Sequence, residues 1–179
     1  MTRARLYLDI DGCVNADALT WGDREAATIR VRYGGGFGML EQITYSRAQL
    51  AAIETLRGEF DVEVIILSTW LEDGHIHQLQ KKLGALHGAR WLPIPPREGP
   101  TQELPDGWKL AALLADHAEH PGPFIWVDDD EVPVHGGAVA AAVSEPVLLL
   151  APNSSLGLTP AHLEQARAFY AGLPRMGGA

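Results

Sequence analysis

Cysteine and long apolar segments are scarce in this sequence, and each scarcity excludes a class of protein. Cys13 is the single cysteine among 179 residues, so an internal disulfide and a thiolate metal cage are excluded. No apolar run approaches the ~20 residues that a helix needs to cross a bilayer, so we predict no membrane span. The first residues pass directly into a strand pattern, which predicts no secretory signal and a cytoplasmic location.

Positive charge is the next scarcity. The chain has 14 Lys and Arg residues against 23 Asp and Glu residues, and its formal net charge at pH 7 is −9. Broad nonspecific binding to nucleic acid depends on Lys and Arg side chains that neutralise phosphates, so this balance argues against it. Apolar residues make up 46% of the chain, which allows a sizeable core at this length. We predict one domain over residues 1–173 and a mobile tail over residues 174–179.

Strand patterns and helix patterns alternate along most of the chain. This alternation predicts an α/β fold, Rossmann-like, with a mostly parallel sheet and helices on both faces. Residues 28–45 depart from it, because two strand patterns flank the glycine-rich residues 34–38 and predict an inserted β-hairpin. The predicted strands are residues 5–10, 28–33, 41–45, 62–67, 89–94, 124–127 and 147–151. The predicted helices are residues 46–58, 75–87, 108–118, 136–143 and 160–172.

Polar side chains follow three of the predicted strands at the point where each strand ends. They are Asp9 and Asp11, Ser68 and Thr69, and the run Asp128, Asp129 and Asp130. Ligands of open α/β sheets bind outside the carboxyl ends of the strands, so these groups are expected to converge. Lys109 lies at a helix start, where acidic residues are favoured. A lysine is unusual there, which makes Lys109 a further candidate for a functional residue.

The residue types in this set indicate the chemistry. Carboxylates and hydroxyls with one lysine, and without histidine or cysteine ligands, suit a hard cation such as Mg²⁺. Magnesium and a lysine can offset the charge of a transferring phosphoryl group while a carboxylate acts as nucleophile. The set therefore indicates phosphoryl transfer, and a site that holds a cation explains two aspartates one residue apart.

Four motifs resemble those of the haloacid dehalogenase (HAD) superfamily of phosphohydrolases, and they occur in that superfamily's order. They are D-x-D-G at Asp9, Asp11 and Gly12, the strand VIILST ending in Ser68 and Thr69, Lys109 at a helix start, and FIWVDD ending in Asp128 and Asp129. More narrowly, LYLDIDGCVN, ILSTW, GWK, FIWVDDDE and NSSLGLT are similar to a HAD domain branch related to Swiss Army Knife RNA repair proteins. The resemblance implies the HAD fold with a minimal hairpin cap.

The same resemblance implies a Mg²⁺-dependent phosphatase that forms an aspartyl-phosphate. Asp9 is then the nucleophile and a metal ligand. Asp11 is the general acid and then the general base, and its main-chain carbonyl binds the metal. Asp128 completes the magnesium shell, and Asp129 contributes to it either directly or through a water molecule. Asp130 matches no motif position, and we interpret it as a solvated loop acid.

The resemblance also implies a set of residues that bind the substrate. Ser68 hydrogen-bonds the phosphoryl oxygens, and we prefer it to Thr69 because it is the first polar residue after the strand. Lys109 bridges the nucleophile and the phosphate. Gly12 and Thr69 are placed beside the substrate. Trp70 either stacks on a base or sugar of the substrate or packs in the core.

A small hairpin leaves the cleft open, so we predict a nucleotide or a phosphorylated nucleic-acid end as substrate. Four arginines in or beside the hairpin either form a local positive rim or only solvate an exposed ribbon; they are Arg24, Arg30, Arg32 and Arg47. Two alternatives stay open: a catalytically idle, metal-binding interaction module with the HAD fold, and a phosphatase of small metabolites. The sequence does not predict the oligomeric state.

Overall fold

The computed structural model describes residues 3–31, 38–97 and 103–174. The strands are β1 (Arg5–Leu8), β2 (Glu25–Val31), β3 (Met39–Tyr45), β4 (Glu63–Ile66), β5 (Arg90–Trp91), β6 (Phe124–Val127) and β7 (Val147–Leu150). The α-helices are α1 (Arg47–Phe60), α2 (His75–Leu83), α3 (Trp108–Glu119), α4 (Glu131–Ala142) and α5 (Pro160–Gly172). A 3₁₀ helix spans Thr69–Gly74.

A five-stranded parallel sheet forms the centre of the protein, in the order β5-β4-β1-β6-β7. The chain runs outward from β1 through β4 to β5, then crosses back and continues from β6 to β7 on the other side. The strand order therefore reverses around β1, which is the position where open α/β sheets bind their ligands. Leu8 pairs with Ile66 on one side and with Val127 on the other, so all three strands end at the same level.

The unbroken apolar runs of the central strands reflect burial on both faces of the sheet. Leu6 and Leu8 of β1 belong to a core cluster that also holds apolar residues of α1, α2 and α5. Tyr7, which lies between them and projects to the opposite face, belongs to a second cluster with residues of α3 and α4. Helices thus cover both faces, and the predicted α/β fold is confirmed.

The hairpin is an antiparallel pair of β2 and β3, whose pairing runs from Glu25 opposite Tyr45 to Val31 opposite Met39. Residues 32–37 include most of the predicted glycine-rich tip and lie outside the described residues, as does the predicted tail from residue 175 onward. Within the described ranges, no helix is both long enough and apolar enough to cross a membrane.

Element bounds differ from the sequence predictions at several points, and three of the differences concern α4, β5 and a 3₁₀ helix. Helix α4 begins at Glu131, five positions before the predicted start, because the Asp128 carboxylate accepts hydrogen bonds from the main chain of its first turn. Strand β5 has only two residues, since Pro93 and Pro95 lack the N–H groups that a longer ladder needs. The 3₁₀ helix after β4 was not predicted.

Candidate active site

Three side chains from three separate elements meet at the carboxyl end of the sheet. Asp9 follows β1, Asp128 follows β6, and Lys109 lies in the first turn of α3. Lys109 Nζ lies 2.6 Å from Asp9 Oδ2 and 2.7 Å from Asp128 Oδ2. All three residues are buried, with Asp128 fully enclosed. The structure thus brings together the predicted nucleophile, the predicted lysine and one predicted metal ligand.

Burial and charge act in opposite directions on these groups. Burial is the largest effect on Asp9 and, together with the nearby Asp128 carboxylate, it raises the pKa of Asp9 to about 7. The Lys109 ammonium and a hydrogen bond from the Ser68 hydroxyl act the other way and keep it from rising further. Burial on its own lowers the pKa of Lys109, but the Asp9 and Asp128 carboxylates outweigh it and raise the pKa overall.

A third carboxylate completes a group that can hold a metal ion. Oxygen atoms of Asp9, Asp128 and Asp129 all lie within 4.8 Å of one another. One lysine balances only part of their charge, and carboxylate oxygens are the donors that hard divalent cations prefer. The chemistry of this donor set therefore fits a divalent metal. Burial raises the pKa of Asp129, with a further contribution from the neighbouring Asp130.

Gly12 makes room for the Asp129 side chain. It has φ +67°, and a Cβ atom at this position would come within 2.1 Å of Asp129 Oδ2. Any larger residue would displace that carboxylate from the group. Gly12 therefore lies against a carboxylate of the possible metal-binding group, and its predicted contact with the substrate stays a prediction.

Main-chain hydrogen bonds fix the orientation of two of the carboxylates. Asp128 Oδ1 accepts from the N–H groups of Asp130 and Glu131 at 3.1 and 2.8 Å, which leaves Oδ2 for Lys109. Asp9 Oδ1 accepts from the N–H of Ile10 at 2.7 Å. Each carboxylate therefore has one oxygen held by the backbone and one directed to the lysine.

Asp11 lies apart from this carboxylate group. It is exposed, and its Oδ1 accepts a hydrogen bond from Asn15 Nδ2 at 2.7 Å. The metal-binding role that the resemblance implies for Asp11 uses its main-chain carbonyl, so it stays a prediction. Asn15 was not among the candidate site residues, because an asparagine after Gly12 indicates by itself only a residue that stabilises the turn after β1.

Ser68, Thr69 and Trp70 differ in what they contact. Ser68 is fully buried, hydrogen-bonds to Asp9 and caps the 3₁₀ helix by accepting from the Trp70 N–H at 3.5 Å. Thr69 is half-buried and begins that helix. Trp70 is only 7% exposed and packs in the core, so its burial favours the packing role over the stacking role.

The arginines near the hairpin are not equivalent. Arg47 pairs with Glu25 through two hydrogen bonds, one of them 2.8 Å long from Nη2, so its charge is locally balanced. Arg24 and Arg30 are exposed. Arg32 lies outside the described residues. A positive rim in the described part of the chain therefore depends on Arg24 and Arg30.

Comparison with known proteins shows the family of this chain. Residues 5–163 match the family described as the HAD domain in Swiss Army Knife RNA repair proteins, and this range includes every candidate site residue. Searches of curated proteins and of solved structures found no match. The chain therefore belongs to the family of HAD domains found in Swiss Army Knife RNA repair proteins, a membership that supports HAD-type phosphohydrolase activity in general.

Proposed function

We propose that this protein is a Mg²⁺-dependent phosphatase that hydrolyses phosphate monoesters through an aspartyl-phosphate at Asp9. The convergence of Asp9 with Lys109 and two further carboxylates at the strand switch point carries the proposal. Asp9, Asp128, Asp129 and the main-chain carbonyl of Asp11 would hold the metal. A bound Mg²⁺ supplies charge neutralisation for the phosphoryl oxygens and for the nucleophile.

In the first step, an oxygen of the ionised Asp9 carboxylate attacks the phosphorus atom. The bond between phosphorus and the ester oxygen breaks, and the Asp11 carboxyl group transfers its proton to the departing oxygen. The products are an alcohol, an aspartyl-phosphate and an ionised Asp11. Lys109 holds Asp9 in place, and its positive charge offsets the charge of the transferring group.

In the second step, Asp11 takes a proton from a water molecule as the water oxygen attacks phosphorus. The bond between phosphorus and the Asp9 oxygen breaks, which releases inorganic phosphate and restores the Asp9 carboxylate. Asp11 is again protonated and ready for the next turnover. Atoms and charges balance over the two steps, with one water consumed for each ester bond cleaved.

The proposed substrate is a nucleotide or a phosphorylated nucleic-acid end. The family of HAD domains in RNA repair proteins supports this class. The small β2–β3 hairpin supports it too, because a short cap leaves room for a bulky substrate. Arg24 and Arg30 are exposed on or beside that hairpin, where they can attract a phosphate backbone on an otherwise acidic protein.

Hydrolysis of p-nitrophenyl phosphate tests the reaction. We expect turnover with Mg²⁺, none with EDTA, and loss of activity in Asp9→Asn, which removes the nucleophilic oxygen. Asp130→Asn is the matched control, since Asp130 is an exposed acid beside the metal site. Acid-quenched enzyme should carry phosphate on the peptide that contains Asp9. Activity unchanged in Asp9→Asn would refute the mechanism. A wild-type protein that hydrolyses no phosphate monoester would favour the alternative function, a catalytically idle, metal-binding interaction module.

Relative kcat/KM values test the substrate class. We expect a 3′-phosphorylated oligonucleotide or a mononucleotide to exceed a sugar phosphate. Substituting Arg24→Gln and Arg30→Gln together should weaken the oligonucleotide reaction and its salt dependence but spare p-nitrophenyl phosphate. A sugar phosphate preferred by more than ~100-fold, equivalent to about 2.7 kcal/mol, would overturn the nucleic-acid assignment.

A further inference from the structure

Asn15 joins the Asp11 side chain to the hairpin. Its Nδ2 donates to Asp11 Oδ1 at 2.7 Å, and its Oδ1 accepts from the Thr44 N–H at 2.8 Å. Thr44 lies in β3, so one amide side chain spans the gap between the loop after β1 and the hairpin. A second link runs beside it, since the Ala16 N–H donates to the Thr44 carbonyl at 3.1 Å.

The Thr44 N–H determines how the Asn15 amide is oriented. A main-chain N–H can only donate, so Asn15 must present its oxygen to Thr44 and its NH₂ to Asp11. The NH₂ group in turn can only donate, so Asp11 Oδ1 acts as an acceptor. The proton that a general acid delivers is then carried by Asp11 Oδ2, the oxygen that Asn15 leaves free.

The main chain around Asn15 is held in place as well. The Asn15 N–H donates to the Ile10 carbonyl at 2.8 Å, and the Asn15 carbonyl accepts from the Gly12 N–H at 2.9 Å. The loop is therefore closed on both sides of Asp11. Its exposed carboxylate would otherwise sample several rotamers, and ordering it in advance lowers the entropy cost of reaching the transition state.

We propose that Asn15 is a positioning residue that orients Asp11 for proton transfer and ties that orientation to the hairpin. The inference rests on the proposed phosphatase function, in which Asp11 protonates the departing oxygen. This role predicts that the effect of substituting Asn15 depends on the leaving group of the ester. An ester whose leaving group departs readily as an anion needs little help from Asp11, whereas one with a poor leaving group needs the proton.

The experiment compares kcat/KM for p-nitrophenyl phosphate and phenyl phosphate in wild type, Asn15→Ala and Asn15→Asp. The value of kcat/KM is used because it reports the transition state relative to free enzyme and substrate. Asn15→Ala should lower kcat/KM by about 10-fold to 100-fold for phenyl phosphate and by less than ~3-fold for p-nitrophenyl phosphate. The ratio of the two losses is the measured quantity.

Asn15→Asp separates the two hydrogen bonds. An aspartate keeps an acceptor for the Thr44 N–H but replaces the donor to Asp11 with a second carboxylate. We expect it to lose at least as much activity toward phenyl phosphate as Asn15→Ala does. If Asn15 serves only to anchor the hairpin through Thr44, then the ratio of kcat/KM for phenyl phosphate to kcat/KM for p-nitrophenyl phosphate will be nearly the same in Asn15→Asp as in wild type. That result would overturn the inference.

Trp21→Phe is the matched structural control. Trp21 donates from Nε1 to the Leu158 carbonyl at 2.6 Å, so this substitution loosens the same region without touching Asp11. It should affect both substrates equally. An equal loss for both substrates in Asn15→Ala would show a general structural role and overturn the inference. Wild-type turnover that depends on Asp9 tests the phosphatase function separately, so a failure of the inference about Asn15 can be distinguished from a failure of the proposed function.

Discussion

The ammonium group of Lys109 lies 2.6 Å from Oδ2 of Asp9, a contact that joins residues 100 positions apart in the sequence. The same group lies 2.7 Å from Asp128. The single ammonium group of Lys109 therefore pairs with two buried carboxylates and neutralises only one negative charge. A divalent metal can balance the charge that remains. The proposed function therefore links stability, metal binding and catalysis at this one group of residues.

Substituting Lys109→Gln should lower activity and stability together. Removal of one partner from a buried ion pair costs about 3 kcal/mol, because the remaining charge is left uncompensated. Activity toward p-nitrophenyl phosphate should fall by at least ~100-fold, the scale of a lost transition-state charge contact. Urea unfolding in EDTA measures the stability, and Lys81→Gln, at an exposed lysine of α2, is the control.

Magnesium should partly rescue the stability of Lys109→Gln. Loss of the ammonium removes its repulsion of an incoming cation, so the rise in Tm on adding Mg²⁺ should be larger in the variant than in wild type. Unchanged stability in EDTA would mean that Lys109 does not compensate the Asp9 and Asp128 charges.

Asp129→Asn should weaken metal binding, whereas Asp130→Asn should not. Asp129 has an oxygen in the group of three carboxylates, while Asp130 is an exposed neighbour. At Mg²⁺ concentrations ~100-fold above Kd, binding adds about 2.7 kcal/mol to stability, or about 8 °C in Tm for a protein of this size. We expect Asp129→Asn to lose more than half of this shift at the same Mg²⁺ concentration. Equal shifts in both variants would place the metal elsewhere.

Gly12→Ala should damage the metal site through Asp129. The new Cβ would lie 2.1 Å from Asp129 Oδ2, so the carboxylate has to move. Gly22→Ala is a close control, because Gly22 also has a positive φ, +84°, but has nothing within 4 Å of an added Cβ. Both variants should lose about 1 kcal/mol from the left-handed backbone.

Only Gly12→Ala should lose the Mg²⁺-dependent rise in Tm, because its Cβ displaces the Asp129 carboxylate. The same displacement should lower its activity by ~100-fold or more. The two variants are compared by thermal unfolding with Mg²⁺ and with EDTA, and by p-nitrophenyl phosphate hydrolysis. Matching Mg²⁺ responses would mean that Asp129 is free to rearrange without consequence.

The sequence was sufficient to predict the convergence of Asp9, Ser68 and Asp128. Each of these residues follows a continuous apolar run, such runs predict buried parallel strands, and parallel strands end at one edge. Strand β6 was predicted with the bounds that the structure has, because FIWV is bounded by Pro123 on one side and by acids on the other.

Two features that the sequence predictions missed have different origins. The early start of α4 comes from the Asp128 carboxylate, which accepts hydrogen bonds from the N–H groups two and three residues further along the chain. This is a local capping signal, and the helix prediction overlooked it. The orientation of the Asn15 amide instead depends on Thr44, because the docked hairpin determines which end of the amide faces Asp11. Local propensity carries no information about that second relationship.

A buried polar network at the other end of the sheet yields the last prediction. Asp116 of α3 accepts hydrogen bonds from Arg90 at 2.7 and 3.0 Å and from the Tyr7 hydroxyl at 2.7 Å. Its side chain is only 6% exposed. Burial raises the pKa of Asp116, but the hydrogen bonds from Arg90 and Tyr7 outweigh burial and lower the pKa overall.

Because the pKa is lower in the folded protein, Asp116 contributes stability above its unfolded pKa of ~3.9, and that contribution is lost as the pH falls through the folded value. Asp116→Asn should therefore cost about 3 kcal/mol at neutral pH. The difference from wild type should shrink steadily as the pH falls below ~4. Urea unfolding across this range measures it. Asp61→Asn removes an exposed pair with Arg3 and should cost less than ~1 kcal/mol. A wild-type to Asp116→Asn difference that does not change with pH would show that the ionised carboxylate is not the source of the stability.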